Sequence, residues 1–144
     1  MTVFRRIVPL IALLALASAC GSDSSSTAPT TSSAPYSQID LVVGTGATAT
    51  TGRSVTVNYA LWLYDSTKAD GKGQQIPQSP PTYTWVLGGP GIIQGWNQGV
   101  VGMKVGGQRR LTIPPELAYD GNSPGGGIPA NATLVFDITL LSVQ

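Results

Sequence analysis

Two stretches of the chain alternate strictly between the faces of an extended backbone. From position 55 to 64, Val55, Val57, Tyr59, Leu61 and Leu63 fall on one side, and Thr56, Asn58, Ala60, Trp62 and Tyr64 on the other. A period of two sustained this long marks a strand with one buried face. Leu134, Phe136, Ile138 and Leu140 repeat the pattern against Thr133, Val135, Asp137, Thr139 and Leu141. Asp40–Val43, Tyr83–Leu87 and Gln108–Ile113 are shorter strand candidates. Between them stand turn sequences: Gly44-Thr45-Gly46, Gly88-Gly89-Pro90-Gly91, Gly106-Gly107 and Ser123-Pro124-Gly125-Gly126-Gly127. Asp65 to Gly73 reads as a surface turn.

One segment changes period. Ile93, Trp96, Val100 and Val101 share an apolar face at helical spacing, predicting a helix over Ile93–Val101. Gly95 and Gly99 inside it each cost about 1 kcal/mol relative to alanine. The helix is therefore marginal alone and needs a sheet to pack on. Pro114–Tyr119 predicts one further helical turn, opened by proline. Several antiparallel strands and one short helix predict an α+β domain with a single core over residues 36–144.

The first 35 residues follow another logic. Arg5 and Arg6 precede an apolar run from Ile7 to Ala17, then the small residues Ala17-Ser18-Ala19 and then Cys20. This is a signal-peptide pattern over residues 1–19, and its apolar run is shorter than the ~20 residues that span a bilayer. Leu16-Ala17-Ser18-Ala19-Cys20 resembles a bacterial lipobox, with Ala17 where leucine is commoner. The resemblance implies cleavage before Cys20 and acylation of its thiol and new amino group, giving a membrane attachment through an N-terminal lipid. Gly21 follows Cys20 without the aspartate that retains some lipoproteins at the inner membrane. This tilts the expected location in the cell envelope toward the outer membrane, facing the periplasm or exterior. Residues 20–35 then form a lipidated cysteine and a Ser/Thr/Ala/Pro tether with nothing to bury.

Composition narrows the chemistry. The chain has 144 residues, no histidine and one cysteine. Triads built on histidine, imidazole general bases, histidine metal ligands, internal disulfides and thiolate zinc cages are all excluded. A net charge of +1 offers no footprint for nucleic acid. No metal or cofactor is implied, and catalysis has to come from shape, apolar surface and hydrogen bonds. Arg109 and Arg110 read as solvated strand residues, Asp137 as the maker of a structural hydrogen bond, and Asn131-Ala132-Thr133 as the turn before the last strand.

The segments VNYALWLYD (57–65), VLGGPGIIQGWNQGVVGMKVGGQRRLTIPPELAY (86–119) and GIPANATLVFDITLL (127–141) together resemble the FKBP-type (macrolide-binding) peptidyl-prolyl cis-trans isomerases, over about residues 36–144. The resemblance implies a five- to six-stranded antiparallel sheet curled around one short helix, with an apolar pocket between them. It implies Trp96 as the pocket floor, Tyr59 and Phe136 as walls, and Tyr83 in a further aromatic slot. Ile92 and Ile93 would line the rim, with the Ile93 N–H donating to a substrate carbonyl. Tyr119 would offer its hydroxyl, and Ile128 would close one side. The family's Phe-Asp pair falls on Ile76 and Pro77, which removes the pocket carboxylate, or on Ala69-Asp70 if no insertion is assumed; the first assignment is preferred. The loop from Gln78 to Pro81 is short and proline-rich, and Asp120 stands where glycine is usual.

The implied partners are proline-containing polypeptides and a macrolide ligand, and the implied state is a monomer. A non-catalytic proline-peptide-binding chaperone module is the alternative, motivated by Pro77 in the carboxylate slot.

Overall fold

A computed structural model describes residues 32–144. The signal-peptide segment, Cys20 and most of the tether lie outside the described residues. Six strands run through the domain: β1 (Ser37–Val42), β2 (Ser54–Tyr64), β3 (Lys72–Ile76), β4 (Thr82–Val86), β5 (Gln108–Ile113) and β6 (Leu134–Val143). One helix, α1 (Gln94–Val100), lies between β4 and β5, and a 3-10 turn (Pro115–Leu117) follows β5. The architecture is the expected antiparallel sheet with one short helix.

The sheet order is β1-β5-β6-β2-β3, with β4 also paired to β2. β2 holds β4 along Ser54–Asn58 and β3 along Leu61–Tyr64. The two short strands therefore share one edge of β2 and leave a gap opposite Tyr59. On the other side β2 pairs with β6 along most of its length, setting Tyr59 beside Ile138 and Leu61 beside Phe136.

Alternation places Val55, Val57 and Leu61 of β2 and Leu134, Phe136, Ile138 and Leu140 of β6 in the core. Leu111 and Ile113 of β5 face the same way, toward α1. The two helical glycines are explained here. A Cβ on Gly95 would stand 2.5 Å from Ile113 Cγ2, and one on Gly99 would stand 2.4 Å from Leu111 Cδ1. Both distances are shorter than van der Waals contact allows. The local helix cost of glycine thus permits close seating of α1 on β5.

Two expectations need correction. The expected surface turn ends at Gly71, and Lys72–Ile76 form a strand. Its sequence, KGQQI, shows no alternation because four of its five residues are polar or glycine and it lies at a sheet edge. Arg109 is not solvated: it is 8% exposed and turns inward. Its guanidinium pairs with Asp40 on β1 and donates to the carbonyls of Gly99 and Val101 at the C-terminal end of α1. Those carbonyls have no partner within the helix, so the cation meets both their hydrogen-bonding need and the helix dipole. Arg110 points to the outer face, where Asp137 accepts from its Nε at 2.7 Å. Lys72 of β3 binds the same carboxylate. Asn131 does sit in the turn before β6, with a positive φ of 58° that asparagine tolerates.

Candidate functional site

The pocket starts from the two long alternating strands. Tyr59 and Leu61 of β2 and Phe136 of β6 project from the concave face, and Trp96 of α1 closes the bottom. Trp96 is 3% exposed. Its ring lies edge-on to Tyr59 (centroids 4.9 Å apart), Phe136 (5.3 Å) and Tyr83 of β4 (6.1 Å), and tilted against Trp85 at 5.2 Å. Edge-to-face contacts of this kind add to the area buried and fix ring orientation. The Trp96 Nε1–H is buried without an oxygen or nitrogen acceptor.

Loops complete the walls. Gly91, Ile92 and Ile93 come from the segment entering α1, Tyr119 from the turn after β5, and Ile128 from the flap before β6. In the flap, Ser123 Oγ donates to the Ile128 carbonyl at 2.6 Å and accepts from Gly125 N–H, which pins Ile128 against the pocket. Asn97 pins the opposite rim. Its Oδ1 accepts from Gly88 N–H (2.9 Å) and Trp85 Nε1 (3.2 Å), and its Nδ2 donates to the Gly89 carbonyl. One side chain thereby ties the glycine-rich loop to both the aromatic cluster and the helix. Ile93 is the N-cap of α1, and its own N–H has no backbone acceptor among the described residues.

The resulting cavity of ≈ 200 Å³ is open on one side. None of its lining residues carries a carboxylate, an ammonium or a guanidinium. Its titratable groups are the hydroxyls of Tyr59, Tyr83 and Tyr119. Burial, followed by the other tyrosines nearby, pushes the hydroxyls of Tyr59 and Tyr119 above their ordinary value. Both therefore stay protonated donors through the neutral range. Such a site can hold an apolar ring and orient its carbonyls, without covalent or acid–base chemistry.

Tyr59, Tyr83, Ile92, Ile93, Trp96, Tyr119, Ile128 and Phe136 are brought together in this one pocket. Ile76 is not in the lining. It is 3% exposed, pairs with Leu61 and supports the wall from behind. Asp70 is exposed in the β2–β3 loop, where it accepts from Lys72 N–H. Sequence reasoning missed three lining residues: Leu61, Gly91 and Gln78. Leu61 was legible, since it shares a face with Tyr59. Gln78 was not, because a polar residue in a proline-rich loop carries no periodic signal.

Residues 46–141 match the profile of the FKBP-type peptidyl-prolyl cis-trans isomerases. The chain belongs to that family. It is 44% identical over 104 residues to an FK506-binding protein of Neisseria meningitidis serogroup B, covering 72% of this chain and 92% of that one. An FK506-binding protein 4 of Chaetomium thermophilum is 44% identical over 105 residues, which is 73% of this chain and 20% of the relative. Among solved structures, FkpA from Escherichia coli aligns with a TM-score of 0.59 at 37% identity, covering 76% of this chain and 48% of that one. A peptidyl-prolyl cis-trans isomerase from Pseudomonas syringae pv. tomato aligns with a TM-score of 0.61 at 29% identity, over 76% and 75% of the two chains. As an FKBP-type domain the chain is a peptidyl-prolyl cis-trans isomerase, and the non-catalytic alternative is not favoured.

The reaction explains the site's composition. An Xaa-Pro bond prefers trans by only about 0.5–1 kcal/mol, yet its rotation barrier is ~18–20 kcal/mol. No bond breaks, so no nucleophile or metal is needed. Halfway through the rotation the amide has lost its resonance and much of its charge separation. An apolar aromatic pocket disfavours the planar, more polar ground state more than this twisted one. That difference is what lowers a barrier.

Proposed function

We propose that this isomerase acts on exported polypeptides from a lipid tether in the cell envelope. The observation carrying the catalytic part is the neutral aromatic pocket of Tyr59, Trp96 and Phe136, whose lining also includes Ile93 and Tyr119. A proline ring seats on Trp96 between Tyr59 and Phe136, with Tyr83, Ile92 and Ile128 around it. Ile93 N–H and Tyr119 hold the flanking carbonyls while the bond turns, which converts binding into orientation. A macrolide with a similar ring and carbonyls suits the same pocket, in line with the name FK506-binding protein borne by the relatives.

Tyr119→Phe should keep the fold and lower kcat/KM for an Xaa-Pro peptide by about three- to tenfold, the worth of one hydrogen bond. A protease-coupled or NMR exchange assay reads this, and an unchanged rate removes the assigned role.

The tethered location rests on the lipobox-like Leu16–Cys20 sequence and on the polar spacer leading to a domain that begins near Tyr36. Each buried acyl CH₂ contributes about 0.8 kcal/mol, and two or more chains anchor stably. In a bacterial host, the wild-type chain should incorporate labelled palmitate and fractionate with membranes. Cys20→Ser should lose the label and remain unprocessed. A wild-type chain released to the soluble periplasm would overturn the tether. The single domain, with no second copy needed to complete the pocket, fits action as a monomer.

A further inference from the structure

We propose that Gln78 is a positioning residue of this isomerase, clamping Tyr59 at the mouth of the pocket with an uncharged group and so making turnover insensitive to pH. The proposal rests on the isomerase reading. It starts from the gap in the sheet. Between the β4 and β3 pairings, the edge of β2 at Tyr59 and Ala60 has no strand partner, and Pro77–Pro81 spans the opening. Pro77, Pro80 and Pro81 have no N–H to offer. The segment is fastened at two points only among the described residues. Tyr59 N–H donates to the Pro81 carbonyl at 2.9 Å. Gln78, half-buried, makes the second fastening with its side chain.

That second point uses both ends of the amide. Gln78 Oε1 accepts from the Tyr59 hydroxyl at 3.0 Å, and Nε2 donates to the Ile76 carbonyl at 3.1 Å. A backbone carbonyl only accepts, so the nitrogen must face Ile76 and the oxygen must face Tyr59. Tyr59 is in turn the ring closest to Trp96. The clamp therefore fixes a pocket wall, and ties it through Ile76 to β3. An ionised carboxylate could accept from Tyr59 but would confront the Ile76 oxygen. The amide does both jobs and does not titrate.

The titratable groups that line the pocket together with Gln78 are Tyr59 from β2, Tyr83 from β4 and Tyr119 from the turn after β5. No carboxylate or cation lines the pocket. Nothing at the site changes charge between about pH 5 and 8.5, where free carboxyls and phenols are already settled.

The test is kcat/KM for an Xaa-Pro peptide from about pH 3.5, below the free glutamate value of about 4.3, up to about pH 8.5, read by NMR exchange. The wild type should be flat within about twofold. Gln78→Glu should be near wild type at the acid end, where a protonated carboxyl can both accept and donate. It should fall about five- to tenfold as the carboxyl ionises. Gln78→Met, which keeps the volume and loses both bonds, should be reduced about five- to tenfold at every pH, with a flat profile. A flat Gln78→Glu profile, a wild-type limb within the range, or a fully active Gln78→Met would each overturn the proposal. Thermal melts at each pH separate these outcomes from unfolding. A wild type without turnover would overturn the isomerase reading instead. Slow exchange of the Gln78 side-chain amide protons by NMR would still decide the clamp, and fast exchange would refute it.

Discussion

Trp96→Ala is expected to cost about 3–5 kcal/mol of stability and to abolish turnover. The two losses have one origin. Trp96 is buried to 3% exposure and is the ring around which Tyr59, Tyr83, Trp85 and Phe136 are oriented. Truncation removes the largest apolar side chain of α1 and its contacts with four rings. It also turns the pocket floor into a deeper, wetter cavity. A proline ring then has nothing flat to rest on, and water reaching the amide stabilises its polar planar state. Both changes raise the barrier.

Trp96→Leu separates the effects. It keeps much of the buried area, so its urea midpoint should fall less than that of the alanine variant, while kcat/KM should still drop by at least tenfold. Urea titration and the exchange assay, run at a temperature where both variants are folded, check this. A leucine variant with wild-type turnover would show that the ring is a core residue and not the floor of the site.

How much of this was readable from the chain depends on the period and the distance of each contact. β2 and β6 were legible because one face is buried and the other is wet over ten residues or so, and a one-residue slip would expose the core. The helix was legible from four apolar positions, although the reason for its glycines lay in Leu111 and Ile113, side chains of a strand later in the sequence. β3 was hidden because an edge strand need not bury alternate residues. The inward Arg109 was hidden for a related cause. Two adjacent arginines on a strand must point to opposite faces, but which face holds a carboxylate depends on partners such as Asp40, 69 positions away. The aromatic pocket was recoverable as a constellation spread across the chain, whereas single residues in it were indistinguishable from core. Gln78 escaped because its partners, a phenol across the sheet gap and a carbonyl two residues back, are fixed only by the fold.

Asp137 offers the second large effect, and it sits on the opposite face of the sheet from the pocket. From the middle of β6 its carboxylate accepts from Arg110 Nε (2.7 Å) and Nη2 (3.1 Å) on β5, and from Lys72 Nζ on β3. The Lys72 ammonium also lies 3.9 Å from the centre of the Trp62 ring. The three charged side chains are only 11–19% exposed. Burial alone would raise the Asp137 carboxyl; the hydrogen bonds from Arg110 and Lys72 outweigh it and hold the group below its ordinary value. The folded protein thus holds this proton less tightly than the unfolded chain does. The stability it contributes is complete above the unfolded carboxyl value of about 3.9 and is lost as pH falls from there toward the folded one. Asp137→Ala should cost about 2–4 kcal/mol at pH 7, because two cations are left partly buried and facing each other. It should also flatten the loss of stability below about pH 4, leaving the smaller contribution of the more exposed Asp40, which Arg109 depresses in the same way. Urea unfolding of both proteins between pH 2.5 and 7 gives the comparison. A variant that loses stability at neutral pH yet keeps the wild-type slope in acid would place the acid sensitivity elsewhere, and would reduce Asp137 to a hydrogen-bonding post between β3, β5 and β6.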